Sequence, residues 1–431
     1  MKVYFLTLGC RVNQYETDAV RRLFLDNGHV VTEDASEADI CIVNTCSVTG
    51  EADRKSGQML RKMARINPET VVVAMGCAAE VATGKVDADV IVGTRDKNRI
   101  LEILDEFFRN NKGTELTHES DHTRPGVSQK DEYHDFGTVL SPEGTRAFMK
   151  VEDGCNNFCS YCIIPYARGR VASRDEASCV SEARFLVSEG YKEIIVSGIH
   201  LCSYGKDRGE DIMSLLSLLT RIDSIDGLER LRLGSLEPMS MTPAFIEGLA
   251  GLKHLCPHFH LSLQSGSDSI LKAMNRKYDT SEYMKRVELL RSFFPGMSLT
   301  TDVITGFPGE TDASFRETID FVRRARFAKI HVFPYSEREG TVAAKLSQVP
   351  VSIRKERARE LISISDELAS SFARDMVGKP DSVLLEREEN GVWTGYTGNY
   401  VKCFVNAPGN RGDIVSGTVT SSENGFVTLS I

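Results

Sequence analysis

The 431-residue chain has no apolar run long enough to cross a lipid bilayer. Its longest hydrophobic runs, such as residues 71–75, have the length of a β-strand, whereas a membrane helix needs about 20 apolar residues. Residues 1–8 lead directly into a cysteine motif and lack the cleavage region of a signal peptide. Low-complexity tracts and solenoid repeats are also missing. We therefore expect a globular, cytoplasmic protein without a membrane segment.

Net positive charge is missing as well, because 52 Lys and Arg residues stand against 61 Asp and Glu residues, a formal net charge of −9. This balance argues against a protein that coats nucleic acid non-specifically, although it allows a local basic patch. Cysteine, by contrast, is plentiful at 11 residues. In a reducing compartment these cysteines are expected to be metal ligands and buried thiols rather than a disulfide framework.

Hydrophobic patterning predicts an α/β protein with about three domains. Residues 1–112 alternate strand and helix patterns, which predicts a doubly wound domain with a parallel sheet. Residues 113–145 are polar with scattered Gly and Pro and are interpreted as a linker. Residues 146–375 contain six strand–helix units, which predict a partial (β/α)6 barrel. Residues 376–431 contain five short β-rich runs separated by turn residues, typical of a small antiparallel β-barrel.

One cysteine motif carries the strongest chemical signal in the sequence. Cys155, Cys159 and Cys162 lie just after a predicted strand at C-x3-C-x2-C spacing. Three thiolates on one tight loop can hold three irons of a [4Fe–4S] cluster and leave the fourth iron open. A zinc site is the competing interpretation, but it normally needs a fourth protein ligand, and none lies nearby at the usual spacing. The motif therefore predicts an iron–sulfur cluster.

A second set of cysteines is scattered along the N-terminal domain. Cys10, Cys46 and Cys77 each follow a different predicted strand. Because the carboxyl ends of parallel strands share one edge of a sheet, these cysteines should converge where α/β sheets bind ligands. Ordinary buried thiols are the alternative. Placement at three equivalent strand ends favours a second [4Fe–4S] cluster, again with one open iron.

The Cys155–Cys162 motif is that of the radical S-adenosylmethionine (SAM) superfamily, and the sequences around both cysteine sets resemble the methylthiotransferase family. The matching segments are Thr7-Leu-Gly-Cys10-Arg-Val-Asn13-Gln-Tyr-Glu16, Asn44-Thr-Cys46, Met75-Gly-Cys77, Ser197-Gly-Ile-His-Leu, Leu261-Ser-Leu-Gln264-Ser-Gly-Ser267 and Thr301-Asp302-Val-Ile-Thr-Gly306-Phe-Pro308-Gly-Glu310. The C-terminal β-rich region resembles the TRAM domain of the same family. The resemblance covers nearly the whole chain except the linker.

The resemblance implies that all six cysteines are catalytic metal ligands. The cluster on Cys155, Cys159 and Cys162 would cleave one SAM to a 5′-deoxyadenosyl radical. The other cluster would carry a sulfur that a second SAM methylates. By family position, the residues expected to line the SAM pocket are Tyr161, at the adenine, and Gly198, Glu237, Gln264, Asp302 and Gly306. For Glu237, Gln264 and Asp302, a structural hydrogen bond at a strand end is an equally good explanation.

The signature around Cys10 resembles the branch that modifies threonylcarbamoyladenosine at position 37 of tRNA. The implied reaction adds a methylthio group to carbon 2 of that base. The implied partners are this tRNA and an electron donor such as flavodoxin or ferredoxin. Methylthiolation of a ribosomal protein side chain is the alternative, favoured by an acidic C-terminal region. A two-cluster electron-transfer protein is more remote, since it predicts four ligands per cluster and does not account for the SAM-type motifs.

Basic residues follow both cysteine loops and modestly favour a mouth that faces RNA. They are Arg54, Lys55, Arg61, Lys62 and Arg65 after Cys46, and Arg168, Arg170 and Arg174 after Cys162. A solvated helix face is the ordinary explanation for any one of these runs. In the C-terminal region, Trp393, Tyr396 and Tyr400 are candidates for stacking on bases, with core packing as the alternative.

Overall fold

The computed structural model describes residues 1–82, 86–110, 132–140 and 144–431. Most of the predicted linker, residues 113–131 and 141–143, lies outside the described residues. Its described part at 132–140 contains neither helix nor strand. Among the helices of the described ranges, none combines the length and apolar character of a membrane span.

The N-terminal region contains one parallel sheet, as its alternating pattern predicts. Its strands are β1 (Lys2–Thr7), β2 (Val30–Val31), β3 (Ile40–Thr45), β4 (Val71–Gly76) and β5 (Val90–Val92). Its helices are α1 (Arg11–Asp26), α2 (Gly50–Ile66), α3 (Cys77–Val81) and α4 (Ile100–Asn110). The strand order is β2-β1-β3-β4-β5, and all neighbours are parallel. Every residue of the central strand β3 is buried, because helices cover both faces of a doubly wound sheet.

The central region contains the predicted partial barrel of parallel strands. Its strands are β6 (Ala147–Asp153), β7 (Ala172–Ser173), β8 (Glu193–Gly198), β9 (Arg230–Leu233), β10 (Ser235–Leu236), β11 (His258–Leu261), β12 (Ser298–Thr305) and β13 (Lys329–Pro334). Its helices are α5 (Ile164–Arg168), α6 (Glu176–Ser188), α7 (Ile212–Asp223), α8 (Pro243–Ala250), α9 (Asp268–Ala273), α10 (Thr280–Phe293), α11 (Asp312–Ala325) and α12 (Val351–Met376). The strands form two segments, β7-β6-β8-β9 and β10-β11-β12-β13, and only the short β7 is antiparallel to its neighbour.

The N-terminal domain covers the open side of this partial barrel. Helix α1 packs against β6, at one edge of the opening. At the other edge, the backbone N–H of Gly50 in α2 donates to Ser336 Oγ at 2.7 Å, just after β13. Asp53 in the same helix pairs with Arg338. The first α/β unit therefore spans the gap between the first and last strands of the second.

Helix α12 leads into a small closed β-barrel at the C-terminal end. Its strands are β14 (Pro380–Glu389), β15 (Val392–Thr397), β16 (Lys402–Val405), β17 (Ile414–Glu423) and β18 (Phe426–Ser430). They close in the order β14-β15-β16-β18-β17, and every pair except β16–β18 is antiparallel. The predicted antiparallel barrel is thus confirmed, with one parallel pair added.

The loop between β15 and β16 carries an aromatic residue that joins all three parts of the structure. The ring of Tyr400 lies 5.2 Å from the guanidinium of Arg11, 5.3 Å from that of Arg146 and 4.5 Å from that of Arg232. Its hydroxyl also accepts a hydrogen bond from Arg11 at 2.6 Å. Cation–π contacts of this kind contribute about 0.5–2 kcal/mol each. We call these four residues the Tyr400 cage.

The same loop occupies the amino-terminal end of the central barrel. Arg232 donates to the carbonyl of Gly398 at 3.0 Å, and the backbone N–H of Ser298, the first residue of β12, donates to Asn399 Oδ1 at 3.0 Å. Tyr396 stacks on Tyr400 with ring centroids 4.8 Å apart. The C-terminal barrel therefore closes the end of the central barrel that lies opposite the carboxyl ends of its strands.

Because the C-terminal barrel docks in this way, its aromatic side chains pack within the protein. Tyr396 and Tyr400 pack against each other and against arginines of the other domains. Trp393 packs partly into the core of its own barrel. The structure therefore favours the packing alternative over base stacking for these three side chains.

Replacing Tyr400 tests the contribution of the cage. Tyr400→Ala removes the shared ring and is expected to lower the free energy of unfolding by about 2–4 kcal/mol. Tyr400→Phe keeps the ring and loses only the hydroxyl bonds, so we expect a loss of about 1 kcal/mol. Urea unfolding followed by the fluorescence of Trp393, the single tryptophan, measures both changes. Equal stability of the three proteins would contradict this role of the cage.

Candidate active site

The scattered cysteines of the N-terminal domain lie at one edge of its sheet. Cys10 follows β1 and caps α1, Cys46 follows β3, and Cys77 begins α3 directly after β4. These three strands are adjacent and parallel, so their carboxyl ends meet. A Cβ added at Gly9, where φ is +101°, would lie only 2.7 Å from Cys46 Sγ. Only glycine tolerates that backbone conformation at so close an approach, and it brings the Cys10 loop directly over Cys46.

The chemistry of this set fits a cluster with an open iron. All three cysteines are free thiols, with Cys10 exposed and the other two buried. Burial raises the pKa of Cys46 to about 11. Burial also raises the pKa of Cys77, although the nearby Arg168 guanidinium lowers it in part. Among the described residues, no three His, Cys, Asp or Glu side chains lie close enough together for a single metal ion. Three free thiols at the ends of three adjacent strands are a donor set that a [4Fe–4S] cluster uses, with one cysteine on each of three irons.

The second cysteine set lies on the loop after β6, at the carboxyl end of the barrel strands. Cys155 donates its backbone N–H to the carbonyl of Gly169, and Cys162 donates to the carbonyl of Cys159, which folds the loop into a tight turn. A Cβ at Gly154, where φ is +78°, would collide with the carbonyl oxygen of Arg170 at 2.0 Å. Cys155, Cys159 and Cys162 are free and half-buried, and burial raises the pKa of Cys155 and of Cys162 to about 12.

The two cysteine sets face each other across the short helix α5. Cys162 precedes this helix by two residues, and Arg168 ends it. Arg168 Nε donates to Cys77 Sγ at 3.2 Å. Cys77 is also near enough to Cys162 to contribute to its raised pKa. The structure therefore brings all six predicted ligands together, although they come from two domains.

A buried ionic network joins the domains at the same place. The carboxylate of Glu16 in α1 accepts hydrogen bonds from Arg168 at 2.8 and 3.0 Å and from Lys150 in β6 at 2.8 Å, and it also pairs with Lys97. Asp153 pairs with Arg168 and Lys150. Burial by itself raises the pKa of Glu16, but the three cations outweigh it and hold that pKa well below its usual range. The carboxylate is therefore ionised at neutral pH.

A cavity of about 260 Å³ lies beside Cys159 at the mouth of the barrel. Arg276 forms its floor with Glu237, to which it donates at 3.0 and 3.1 Å, and its Nη1 lies 3.3 Å from Cys159 Sγ. His200 Nε2 lies 3.4 Å from the same carboxylate. Burial raises the pKa of Glu237, but His200 and Arg276 more than offset this and lower it. The cavity thus presents a fixed cation and a fixed anion next to the cysteine loop.

Sequence reasoning predicted Glu237 here but missed Arg276 and one buried acid. Nothing near Arg276 in the sequence distinguishes it from an exposed arginine. Glu152 in β6 is fully buried, and its Oε1 has no hydrogen-bond partner among the described residues. Burial raises the pKa of Glu152 well above its usual value. Gly198 adjoins it, because a Cβ at this glycine would lie 2.6 Å from Glu152 Oε2.

The remaining predicted SAM-pocket residues are distributed around the same end of the barrel. Tyr161, within the cysteine loop, contacts Phe307 edge to face, with ring centroids 6.4 Å apart. Gln264 has a positive φ of 74°, and its backbone N–H donates to the carbonyl of Asp302. The Asp302 carboxylate contacts His260 Nε2 at 3.2 Å. The contact with His260 supports a structural hydrogen bond for Asp302. The residue nevertheless lies near the barrel mouth.

Packing against α12 is sufficient to require glycine at position 306, and its place in the SAM pocket stays a prediction. Its φ is +68°, and an added Cβ would lie 2.4 Å from Arg354 Cγ on α12. Its backbone N–H donates to Glu310 Oε1 at 2.7 Å. The glycine therefore makes room for a helix that begins more than 40 residues further along the chain.

Two of the arginines expected to face RNA are instead buried in ion pairs. Arg168 belongs to the network at Glu16, and Arg174 pairs with Glu182 and Asp135. For these two the expectation of an RNA-facing mouth is wrong. The basic residues of α2 are all exposed; they are Arg54, Lys55, Arg61, Lys62 and Arg65.

Comparison with known proteins gives consistent matches over both α/β units. Residues 149–322 match the model of the Radical SAM superfamily, and residues 2–93 match the "Uncharacterized protein family UPF0004". The solved structure of the radical S-adenosylmethionine methyltransferase TsrM from Kitasatospora setae is similar, with a TM-score of 0.58. It is 16% identical and covers 80% of this chain and 77% of its own, which shows a shared fold.

Curated relatives extend the match to nearly the whole chain. The threonylcarbamoyladenosine tRNA methylthiotransferase MtaB of Bacillus subtilis (strain 168) is 38% identical over 93% of this chain and 89% of its own length. The protein of the same name from Thermotoga maritima is 36% identical over 98% and 95%. The tRNA-2-methylthio-N(6)-dimethylallyladenosine synthase of Desulfitobacterium hafniense is 34% identical over 89% and 86%.

Gly306→Ala separates packing from a role in SAM binding. We expect a loss of about 1–3 kcal/mol in the free energy of unfolding, since the new Cβ combines backbone strain with the contact to Arg354. Gly309→Ala is the matched control, because φ is +89° there and nothing lies within 4 Å of the added Cβ. Thermal unfolding of both variants measures the difference. Unchanged stability of Gly306→Ala together with weaker SAM binding would instead support the original SAM-pocket prediction.

Proposed function

The chain belongs to the radical SAM tRNA methylthiotransferases, and we propose that it adds a methylthio group to carbon 2 of threonylcarbamoyladenosine at position 37 of tRNA. The observation that carries this proposal is the convergence of two three-cysteine sites from two domains. Each site supplies three cysteines, and a [4Fe–4S] cluster held by three cysteines leaves one iron for an exogenous group. A methylthiotransferase needs two such positions, one for SAM cleavage and one for sulfur.

Two [4Fe–4S] clusters and SAM fit the residues present. Cys155, Cys159 and Cys162 would hold one cluster, and Cys10, Cys46 and Cys77 the other. When bound, these groups supply a 5′-deoxyadenosyl radical from one SAM and a sulfur methylated by a second SAM. The protein holds the two thiol sets at a fixed separation and excludes water, since Cys46, Cys77 and the network at Glu16 are buried.

The cavity beside Cys159 suits the amino acid part of SAM. Arg276 offers its guanidinium to a carboxylate, and Glu237 offers a carboxylate to an ammonium group. Their mutual ion pair keeps both side chains in place before the ligand binds. Tyr161 lies beside Cys159 and Cys162, where its ring can line the adenine. Gly198, Gln264 and Asp302 border the same end of the barrel and stay proposed contacts.

The choice of substrate base rests on two observations. Four relatives named for threonylcarbamoyladenosine are 36% to 38% identical, and four named for dimethylallyladenosine are 33% to 36% identical. The segment from Cys10 to Glu16 also resembles the former branch. Dimethylallyladenosine is therefore the second candidate. The exposed basic face of α2, near Cys46, supports binding of an RNA backbone.

Other features of the proposal concern organisation and partners. We propose domain limits of 1–112, 146–375 and 376–431, with residues 113–145 as the linker. We also propose a cytoplasmic location and a low-potential electron donor such as flavodoxin or ferredoxin. The acidic C-terminal barrel packs on the central barrel rather than offering its tyrosines to RNA.

Mass spectrometry of tRNA nucleosides tests the substrate. In a strain that lacks this gene, 2-methylthio-threonylcarbamoyladenosine should disappear, and a plasmid copy should restore it. Persistence of this nucleoside, with no second such enzyme present, would refute the proposal. Selective loss of 2-methylthio-dimethylallyladenosine would favour the second candidate, and loss of a methylthio group from a ribosomal protein would favour the protein-modifying alternative.

Cys77→Ala tests whether one cysteine site serves sulfur insertion and the other serves SAM cleavage. We expect sulfur insertion to be abolished while some formation of 5′-deoxyadenosine survives, because the other thiol set is intact. Iron bound after anaerobic reconstitution should fall from about eight to about four per chain. Cys41→Ala is the matched control, since Cys41 is buried within β3 and should leave both activities in place. Complete loss of SAM cleavage in folded Cys77→Ala protein would contradict the assignment.

A further inference from the structure

Arg168 is placed where the two proposed cluster sites meet. The residue is buried, and its three guanidinium nitrogens all have partners. Nη1 donates to Glu16 at 2.8 Å, Nη2 donates to Asn13 Oδ1 at 2.8 Å, and Nε donates to Cys77 Sγ at 3.2 Å. The arginine therefore comes from the helix that follows one cysteine loop and contacts a ligand of the other set.

The charges around Arg168 do not balance within the protein. Three cations, Arg168, Lys97 and Lys150, share two carboxylates, Glu16 and Asp153. The ion pairs of Arg168 within the described part of the chain run to these two acids alone. Such a group leaves one positive charge in a site where burying an unpaired charge costs several kcal/mol.

Neighbouring acids do not supply the missing negative charge. Among the described residues, Glu152 forms no ion pair with these cations and instead accepts a hydrogen bond from the backbone N–H of His200 at 2.7 Å. Glu182 pairs with Arg174. Besides the two acids and the neutral amide of Asn13, Arg168 contacts the sulfur of Cys77. A deprotonated, iron-bound thiolate at Cys77 would complete the balance.

We propose that Arg168 is a positioning residue that compensates the negative charge of the cluster on Cys10, Cys46 and Cys77 and keeps its reduction potential high. The inference rests on the proposed function, because it assumes a cluster at that site. Net charge and hydrogen bonds to the sulfurs are two of the factors that set the potential of an iron–sulfur cluster. Arg168 acts on both, since it brings a charge and a direct N–H···S bond.

The proposal also links cluster binding to the contact between domains. Glu16 and Asn13 belong to α1, whereas Arg168, Lys150 and Asp153 belong to the central barrel. The surplus positive charge between these elements weakens their docking until the cluster supplies its negative charge. Binding of the cluster and docking of the domains therefore stabilise each other.

A redox titration in the full-length chain tests the proposal. Replacing Cys155, Cys159 and Cys162 with Ala removes the radical-generating site and leaves one cluster to observe by electron paramagnetic resonance. In this background, Arg168→Gln should shift the midpoint potential to more negative values, because it removes both the charge and the hydrogen bond. Arg168→Lys keeps the charge and should give a smaller shift. Glu16→Gln adds net positive charge and should shift the potential in the opposite direction.

Arg174→Gln is the matched control for a purely structural effect. Arg174 is as deeply buried as Arg168, pairs with Asp135 and Glu182 and donates to the Tyr15 hydroxyl of the N-terminal domain at 3.3 Å, but it contacts no cysteine sulfur in the described structure. It should lower thermal stability without moving the potential. Iron content and thermal unfolding of every variant show whether the fold is kept. If Arg168→Gln does not fold, the midpoint potentials of Arg168→Lys and Glu16→Gln test the proposal instead.

The outcomes separate this inference from the proposed function. A folded, iron-loaded Arg168→Gln protein with the same potential as its parent would overturn the inference alone. The inference would also fail if Arg168→Lys and Glu16→Gln both left the potential unchanged. The absence of any cluster in the background protein would overturn the proposed function as well, since no sulfur-carrying site would then exist.

Discussion

The ion pairs of Glu16 determine how the two α/β units face each other. This buried carboxylate in α1 receives Arg168 and Lys150 from the central barrel and Lys97 from its own domain. Because α1 begins beside Cys10 and Arg168 ends the helix after Cys162, these bonds fix the separation of the two thiol sets. Removing one partner of a buried ion pair typically costs about 3–5 kcal/mol. Electrostatic pairing, rather than apolar packing alone, thus maintains the geometry that a two-site reaction needs.

Both α/β units use the same structural rule for different tasks. In each, the reactive cysteines follow the carboxyl ends of parallel strands, where loops are free to vary without disturbing the sheet. The N-terminal sheet gathers its cysteines from three strands, whereas the barrel carries its cysteines on one loop. The first unit also spans the opening of the second, so the two ligand-binding edges are brought together. A substrate atom between them can be approached from both sides.

The sequence predicts those features that depend on short-range patterns. Alternating strands and helices indicated both α/β units, and cysteines at successive strand ends indicated which thiols converge. Long-range partners were not predictable in this way. Arg168 contacts Cys77 across 91 positions of the chain, and Arg276 contacts Cys159 across 117, so neither arginine differs locally from an exposed one. The packing of Gly306 against Arg354 was not predictable for the same reason, because the helix that it accommodates lies further along the chain.

The Tyr400 cage also has a consequence for the order in which the enzyme matures. Its three arginines come from α1, from the residue just before β6 and from β9, and all of them are translated before Tyr400. Arg146 and Arg232 also pair with Glu193 in β8, but without Tyr400 the three guanidinium groups have no ring to share. The contacts of Tyr400 that close the amino-terminal end of the central barrel therefore form only after residue 400 has been translated. Closure of this end of the central barrel, which lies opposite the cysteine sites, therefore requires an intact C-terminal barrel.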